Sequence, residues 1–237
     1  MAMVRNLCSP ILSGLVAAVS LGVGLAPTPA SAEMVLSHVI VDMQPGKPSH
    51  DDIEVWNSGT ERMYVVAEPS EIRSPGLQGE QRLSNPDPAV TGLLVSPQRM
   101  VLEPGQRRMV RVSAIAARQQ LDRVYRVTIK PVAGDVTADT TAIKVLVGYD
   151  VLVLYRPQTV TGEVTATRSG HTLRLHNGSN TSQEVFDGKQ CDAGGGNCKT
   201  LGANRLYAGV DWEQSIPYDT PVEYRITAGN GTKTVKF

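Results

Sequence analysis

Cys191 and Cys198 are the residues of this chain best placed for metal or redox chemistry, and they flank Asp192-Ala193-Gly194-Gly195-Gly196-Asn197. A metal site or redox dithiol favours Cys-x-x-Cys spacing or more ligands nearby. The wider interval suits a structural disulfide that closes a surface loop. The four histidines are scattered. His171 and His176 would lie on opposite faces of a strand and read as lone surface side chains. Asp51, Asp52 and Glu54 lack the alternating acidic loop with its glycine that calcium requires, so they read as solvated turn residues. There is no G-x-S-x-G elbow, H-E-x-x-H pair, P-loop or G-x-G-x-x-G; a non-enzyme without metal or cofactor is expected.

The elements that carry these residues are β-strands. Helical periodicity is nearly absent, and short runs rich in Val, Ile, Tyr and Thr alternate with Pro, Gly, Asn and Asp clusters. Strands are predicted over 35–43, 52–57, 63–68, 92–96, 109–114, 123–130 and 140–155. After Tyr155-Arg156-Pro157 the pattern restarts, with strands over 162–167, 172–176, 183–187, 201–207, 211–216, 222–227 and 232–237. Gln44-Pro45-Gly46, Asn57-Ser58-Gly59 and Glu103-Pro104-Gly105 supply turn chemistry. Pro157 cannot donate to a ladder and suits a strand exit. The expected architecture is all-β, with two sandwiches over 33–157 and 158–237.

The N-terminus reads as an export signal: Arg5, an apolar run over 11–25, then Ala30-Ser31-Ala32. Cleavage after Ala32 is expected, releasing about 205 residues outside the cytoplasm and removing Cys8. The 23 basic and 23 acidic residues balance, so composition proposes neither nucleic acid nor an acidic membrane as partner.

The run from Ile143 to Tyr155 is the most informative stretch. Its odd positions are apolar throughout, whereas Lys144, Gly148 and Asp150 interrupt the even ones. As one strand it would extend about 43 Å, against roughly 17 to 20 Å for a sandwich strand. Two readings compete: a strand that bends into a neighbouring domain, and an edge whose apolar row is meant for another protein. A long apolar edge is a hazard that proteins normally suppress with charge or proline.

Ser96-Pro97-Gln98-Arg99, the run from Leu102-Glu103-Pro104-Gly105 to Val112, Tyr125-Arg126-Val127 and Leu154-Tyr155-Arg156-Pro157 together resemble the pilus-assembly chaperones of the chaperone/usher pathway. The likeness covers most of 35–157. It implies two immunoglobulin-like domains in a boomerang, residence in the periplasm, and pilus subunits and an outer-membrane usher as partners. Such a chaperone lends its long strand to a subunit that lacks one, by strand addition. The donated row would fall on Ile143, Val145 and Val147, with Tyr149 continuing it. Nucleic acid and small-molecule substrates are not expected. An unprotected edge also invites self-pairing into a dimer.

Departures from the family pattern accompany the match. Members anchor the subunit's terminal carboxylate on two basic residues, which fall here on His38 and Leu152. Replacement anchors are His38, Arg126 and Arg156; a solvated surface or an internal ion pair is the competing reading for each arginine. Arg111 lies where the family has a buried arginine joining the domains, with Asp122 and Asp219 as nearest acidic partners; the competing reading is a surface arginine. These departures and the cysteine loop resemble the branch that serves alternative (α-type) pili. The alternative function is an exported immunoglobulin-like pilus subunit or adhesin, which would carry an N-terminal donor extension and a missing strand.

Overall fold

In the computed structural model the described residues are 33–132, 146–228 and 231–237. The first ten strands are β1 (Met34–Leu36), β2 (Ile40–Met43), β3 (His50–Asn57), β4 (Met63–Arg73), β5 (Gln81–Leu83), β6 (Leu93–Ser96), β7 (Arg99–Leu102), β8 (Arg107–Ala114), β9 (Arg123–Val132) and β10 (Tyr149–Tyr155). They form two sheets, β1-β3-β8-β6 and β2-β10-β9-β4-β5, with β7 also paired to β4. The strands alternate inward and outward: Ile53 and Val55 of β3 and Val110 and Val112 of β8 meet Val127, Ile129, Val151 and Val153 of the facing sheet in one core. A short helix, α1 (Pro88–Thr91), follows Asp87, whose side chain accepts from the Ala89 N–H; it ends at Gly92 in the left-handed region (φ 74°).

Eight further strands follow: β11 (Val164–Ser169), β12 (Thr172–Asn177), β13 (Gln183–Gln190), β14 (Lys199–Thr200), β15 (Asn204–Leu206), β16 (Asp211–Ser215), β17 (Glu223–Ala228) and β18 (Gly231–Lys236). They form the sheets β11-β12-β16 and β14-β13-β17-β18, with β15 also on β13. A second core gathers Leu173, Leu175, Val185, Leu206, Tyr224 and Ile226. The protein is thus all-β, as the alternation predicts. Cys191 and Cys198 are joined by a disulfide and close the exposed loop between β13 and β14.

The strand predicted over 35–43 is two strands in different sheets. Met34 faces inward at an even position, whereas Val41 and Met43 face inward at odd ones. That change of parity forces a break, and Ser37–Val39 supplies it. β1 pairs antiparallel with β3, and β2 runs parallel to β10 from Leu152↔Ile40 to Tyr155↔Met43. The long strand predicted over 140–155 is strand from Tyr149 onward. Residues 146–148 are outside any strand, and 133–145 lie outside the described residues.

Each sandwich turns one corner on a buried asparagine. The Asn57 amide donates to the carbonyls of Glu61 (2.7 Å) and Leu102 (3.0 Å), and its oxygen accepts from the Gly59 N–H (3.0 Å). Asn177 repeats the arrangement with the Thr181 and Leu206 carbonyls (2.9 and 2.8 Å) and the Ser179 N–H (3.0 Å).

Candidate functional site

The site is built around β10, whose two faces have different work. Val151, Val153 and Tyr155 point into the first core, and Tyr149 packs against it, its hydroxyl donating to the Met34 carbonyl (3.0 Å). Ahead of it, Leu146 and Val147 are 38% and 53% exposed. Of the sequence-predicted donor row, Val147 and Tyr149 are therefore described, and Ile143 and Val145 lie outside the described residues. β2 pairs β10 only from Leu152 onward, so among the described residues the backbone of β10 ahead of Leu152 has no strand on its β2 side.

The even face of β10 is apolar at its C-terminal end because the second domain covers it. Leu152 and Leu154 form a buried cluster with Ile72 and Val124, against which Tyr207 packs. The position where the family carries a lysine anchor is thus a leucine inside an apolar contact.

Beside that cluster lies a half-exposed charged network that crosses four strands. Arg82 of β5 donates from Nη2 and Nη1 to Asp150 Oδ1 (2.7 Å) and Oδ2 (3.1 Å), and also to Ser70 Oγ (2.8 Å) and Thr128 Oγ1 (2.7 Å). Arg126, opposite Leu152 in the ladder, donates to the Asp150 carbonyl (3.3 Å) and lies 3.8 Å from its carboxylate. Burial alone would push the Asp150 carboxyl up, but the hydrogen bonds from Arg82 and Thr128 and the two guanidinium charges outweigh it and hold it below the usual range. Two cations share one carboxylate, and Arg126 remains 33% exposed.

The other proposed anchors are occupied. His38 sits in the break between β1 and β2, with Nδ1 2.9 Å from Ser37 Oγ and Nε2 3.3 Å from Asp51 Oδ2. Arg156 is buried at the junction of the two domains, 2% exposed. Its Nε and Nη2 donate to Asp42 Oδ1 (2.8 Å) and Oδ2 (3.0 Å). Its Nη1 donates to Thr181 Oγ1 (2.7 Å), Ser182 Oγ (3.0 Å) and the Ser182 carbonyl, 3.4 Å from Asp122 Oδ2. Asp122 in turn accepts from the Thr181 hydroxyl and the Ser182 N–H. Burial pushes the Asp122 carboxyl above its usual range, although the Arg156 charge and these hydrogen bonds pull the other way.

This corrects the expectation for Arg111. Asp122 does face a buried arginine at the junction, but that arginine is Arg156 of its own domain, and Thr181 and Ser182 supply the second domain's side. Arg111 stands on the outward face of β8, because Val110 and Val112 beside it face the core, and it pairs bidentately with Asp52 across the ladder (2.7 Å to each oxygen). Among the described residues, Asp219 offers its backbone carbonyl alone, to Arg168 (2.6 Å).

Two arginines around β10 escaped the sequence reading. One is Arg82. The other is Arg118, which stacks on Tyr155 (4.4 Å) and donates to the carbonyls of Met43, Gln44 and Arg156 (2.9, 2.8 and 2.6 Å), gathering the ends of β2 and β10. Neither stands in a spacing that signals its partners.

This architecture of two immunoglobulin-like domains is shared with solved structures. The class 5 fimbriae chaperone CfaA superposes with a TM-score of 0.62 at 19% identity, over 86% of this chain and 98% of that one. A structure of the Salmonella enterica SafA pilin with the SafB chaperone gives 0.62 at 15%, over 89% and 99%. The Escherichia coli chaperone DraB gives 0.58 at 16%, over 86% and 97%. In sequence, the chain is 24% identical over 170 residues to the CFA/I fimbrial A subunit of Escherichia coli, covering 69% of this chain and 70% of that protein. No family model matches. The fold is that of the fimbrial periplasmic chaperones.

Proposed function

We propose that this chain is an exported periplasmic chaperone for pilus subunits, which lends its client the segment leading into β10 and delivers it to an outer-membrane usher. The observation that carries this reading is the root of β10: an apolar row continues outward through exposed Val147, while among the described residues the backbone ahead of Leu152 has no strand on its β2 side. A pilin strand entering there would gain ladder hydrogen bonds and cover that row. Ile143 and Val145 extend the row in sequence. Arg126, supported by Arg82, is the anchor for a terminal carboxylate. It is accessible, carries charge shared with a second arginine, and lies next to the leucine that replaces the family's lysine.

The test is co-expression of the exported chain, wild type or Val147→Asp, with each pilus subunit encoded beside it. A one-to-one periplasmic complex with the wild type and its loss in the variant are expected, because a charge then enters a site where about 2 kcal/mol of apolar burial is gained. The free variant should melt as the wild type does, since Val147 is exposed. A complex that survives Val147→Asp overturns strand donation.

A further inference from the structure

Among the described residues the β9–β10 ladder stops at Ile129↔Tyr149, although β9 itself runs on to Val132. The cause can be read from which way the backbone groups point. Leu152 N–H donates to Val39 and Arg156 N–H to Met43, so the even residues of β10 face β2. The odd residues therefore face β9, and they meet its odd residues: Val153 opposite Tyr125, Val151 opposite Val127, Tyr149 opposite Ile129. The next such pair would be Val147 with residue 131, which is proline and has no N–H to give. Pro131 is tolerated inside a strand for the same reason. Its missing donor points toward β10, while its neighbours Lys130 and Val132, whose groups point the other way, keep the ladder to β4.

Gly148 adds a second feature at the same step. A Cβ there would lie 2.7 Å from Lys130 Cβ and 3.3 Å from the Ile129 carbonyl oxygen, so the chain leaves the sheet in close backbone contact that only glycine permits. Among the described residues no backbone hydrogen bond joins Val147 to Pro131.

We propose that Pro131 and Gly148 are a built-in stop that ends the chain's own ladder at Tyr149 and keeps the backbone of residues 146–148 unpaired until a partner strand arrives. They act as positioning residues, and the inference rests on the strand-donation reading only for its purpose. At residues 146–148 the stop avoids the rigid apolar edge that a continued ladder would present, which is the hazard noted for such edges.

The experiment is residue-resolved amide hydrogen exchange on the free exported chain, wild type and Pro131→Thr, with no pilin present. In the wild type, the Val147 amide should exchange at least about tenfold faster than the Tyr149 amide. In Pro131→Thr, the restored N–H donates to the Val147 carbonyl and closes the pair, so the Val147 N–H donates in turn to the residue 131 carbonyl and should slow by about tenfold, to near the Tyr149 rate. A Val147 amide as protected as Tyr149 in the wild type overturns the proposal, and so does an unchanged Val147 rate in a folded Pro131→Thr. The wild-type comparison stands even where the variant fails to fold. Failure here with an intact Val147-dependent pilin complex would remove the stop and leave strand donation standing.

Discussion

Replacing Arg156 by methionine keeps an unbranched apolar stem and removes the guanidinium charge from the domain junction. Asp42, 34% exposed, can turn to water, whereas Asp122, 6% exposed, cannot. Breaking a buried pair by deleting one partner costs about 3 to 5 kcal/mol. The Ser182 N–H and Thr181 hydroxyl still solvate Asp122, which places the expected loss at the low end, about 3 kcal/mol. The pH dependence has a definite sign. Burial already holds the Asp122 carboxyl above its usual range, and losing the cation raises it further. A carboxyl whose folded pKa exceeds its unfolded value weakens the fold as pH rises through the interval between them. The gap between variant and wild type should therefore narrow as pH falls from about 7 toward about 4, and Asp122→Asn should recover stability in the Arg156→Met background. Urea unfolding followed by circular dichroism reads all three chains. Arg111→Met, at an exposed pair, should leave the midpoint where it was. A larger loss from Arg111→Met than from Arg156→Met, or an unshifted midpoint in Arg156→Met, refutes the assignment of the junction.

The disulfide closes a short loop, so Cys191→Ala with Cys198→Ala should cost about 2 to 3 kcal/mol in the same urea assay; an unchanged midpoint would show that the loop constrains nothing in the unfolded chain. For the anchor, calorimetry with the C-terminal peptide of a co-purified pilin, as free acid and as amide, should show Arg126→Gln weakening the free acid by about tenfold. Asp150→Asn, which frees both arginines of their internal carboxylate, should strengthen it. Equal effects on acid and amide would remove Arg126 from that role.

Much of the fold is legible because inward and outward positions alternate throughout β12, and from Ile53 and Val110 onward in β3 and β8. β7 was hidden because Arg99-Met100-Val101-Leu102 reads as the tail of the Ser96-Pro97-Gln98 turn, and β5 because its three residues offer no period. The junction was partly readable. Val110 and Val112 already place Arg111 outward, while Arg156 continues the even row of Leu152 and Leu154 that the second domain covers. Arg82 and Arg118 could not be found this way. Their partners are a carboxylate far along the chain and three backbone carbonyls, and neither leaves a spacing to detect.

The asparagine corner of the second sandwich has a consequence for how this molecule can change. Asn177 fixes the turn that presents Thr181 and Ser182, and among the described residues those two accept the hydrogen bonds that Arg156 gives to the second domain. The joint is therefore inherited from a module needed for folding rather than added to it. Of the residues that form this clamp, Asp42, Asp122 and Arg156 can change without touching that corner. Change in the clamp is thereby steered to the first domain's side of the junction.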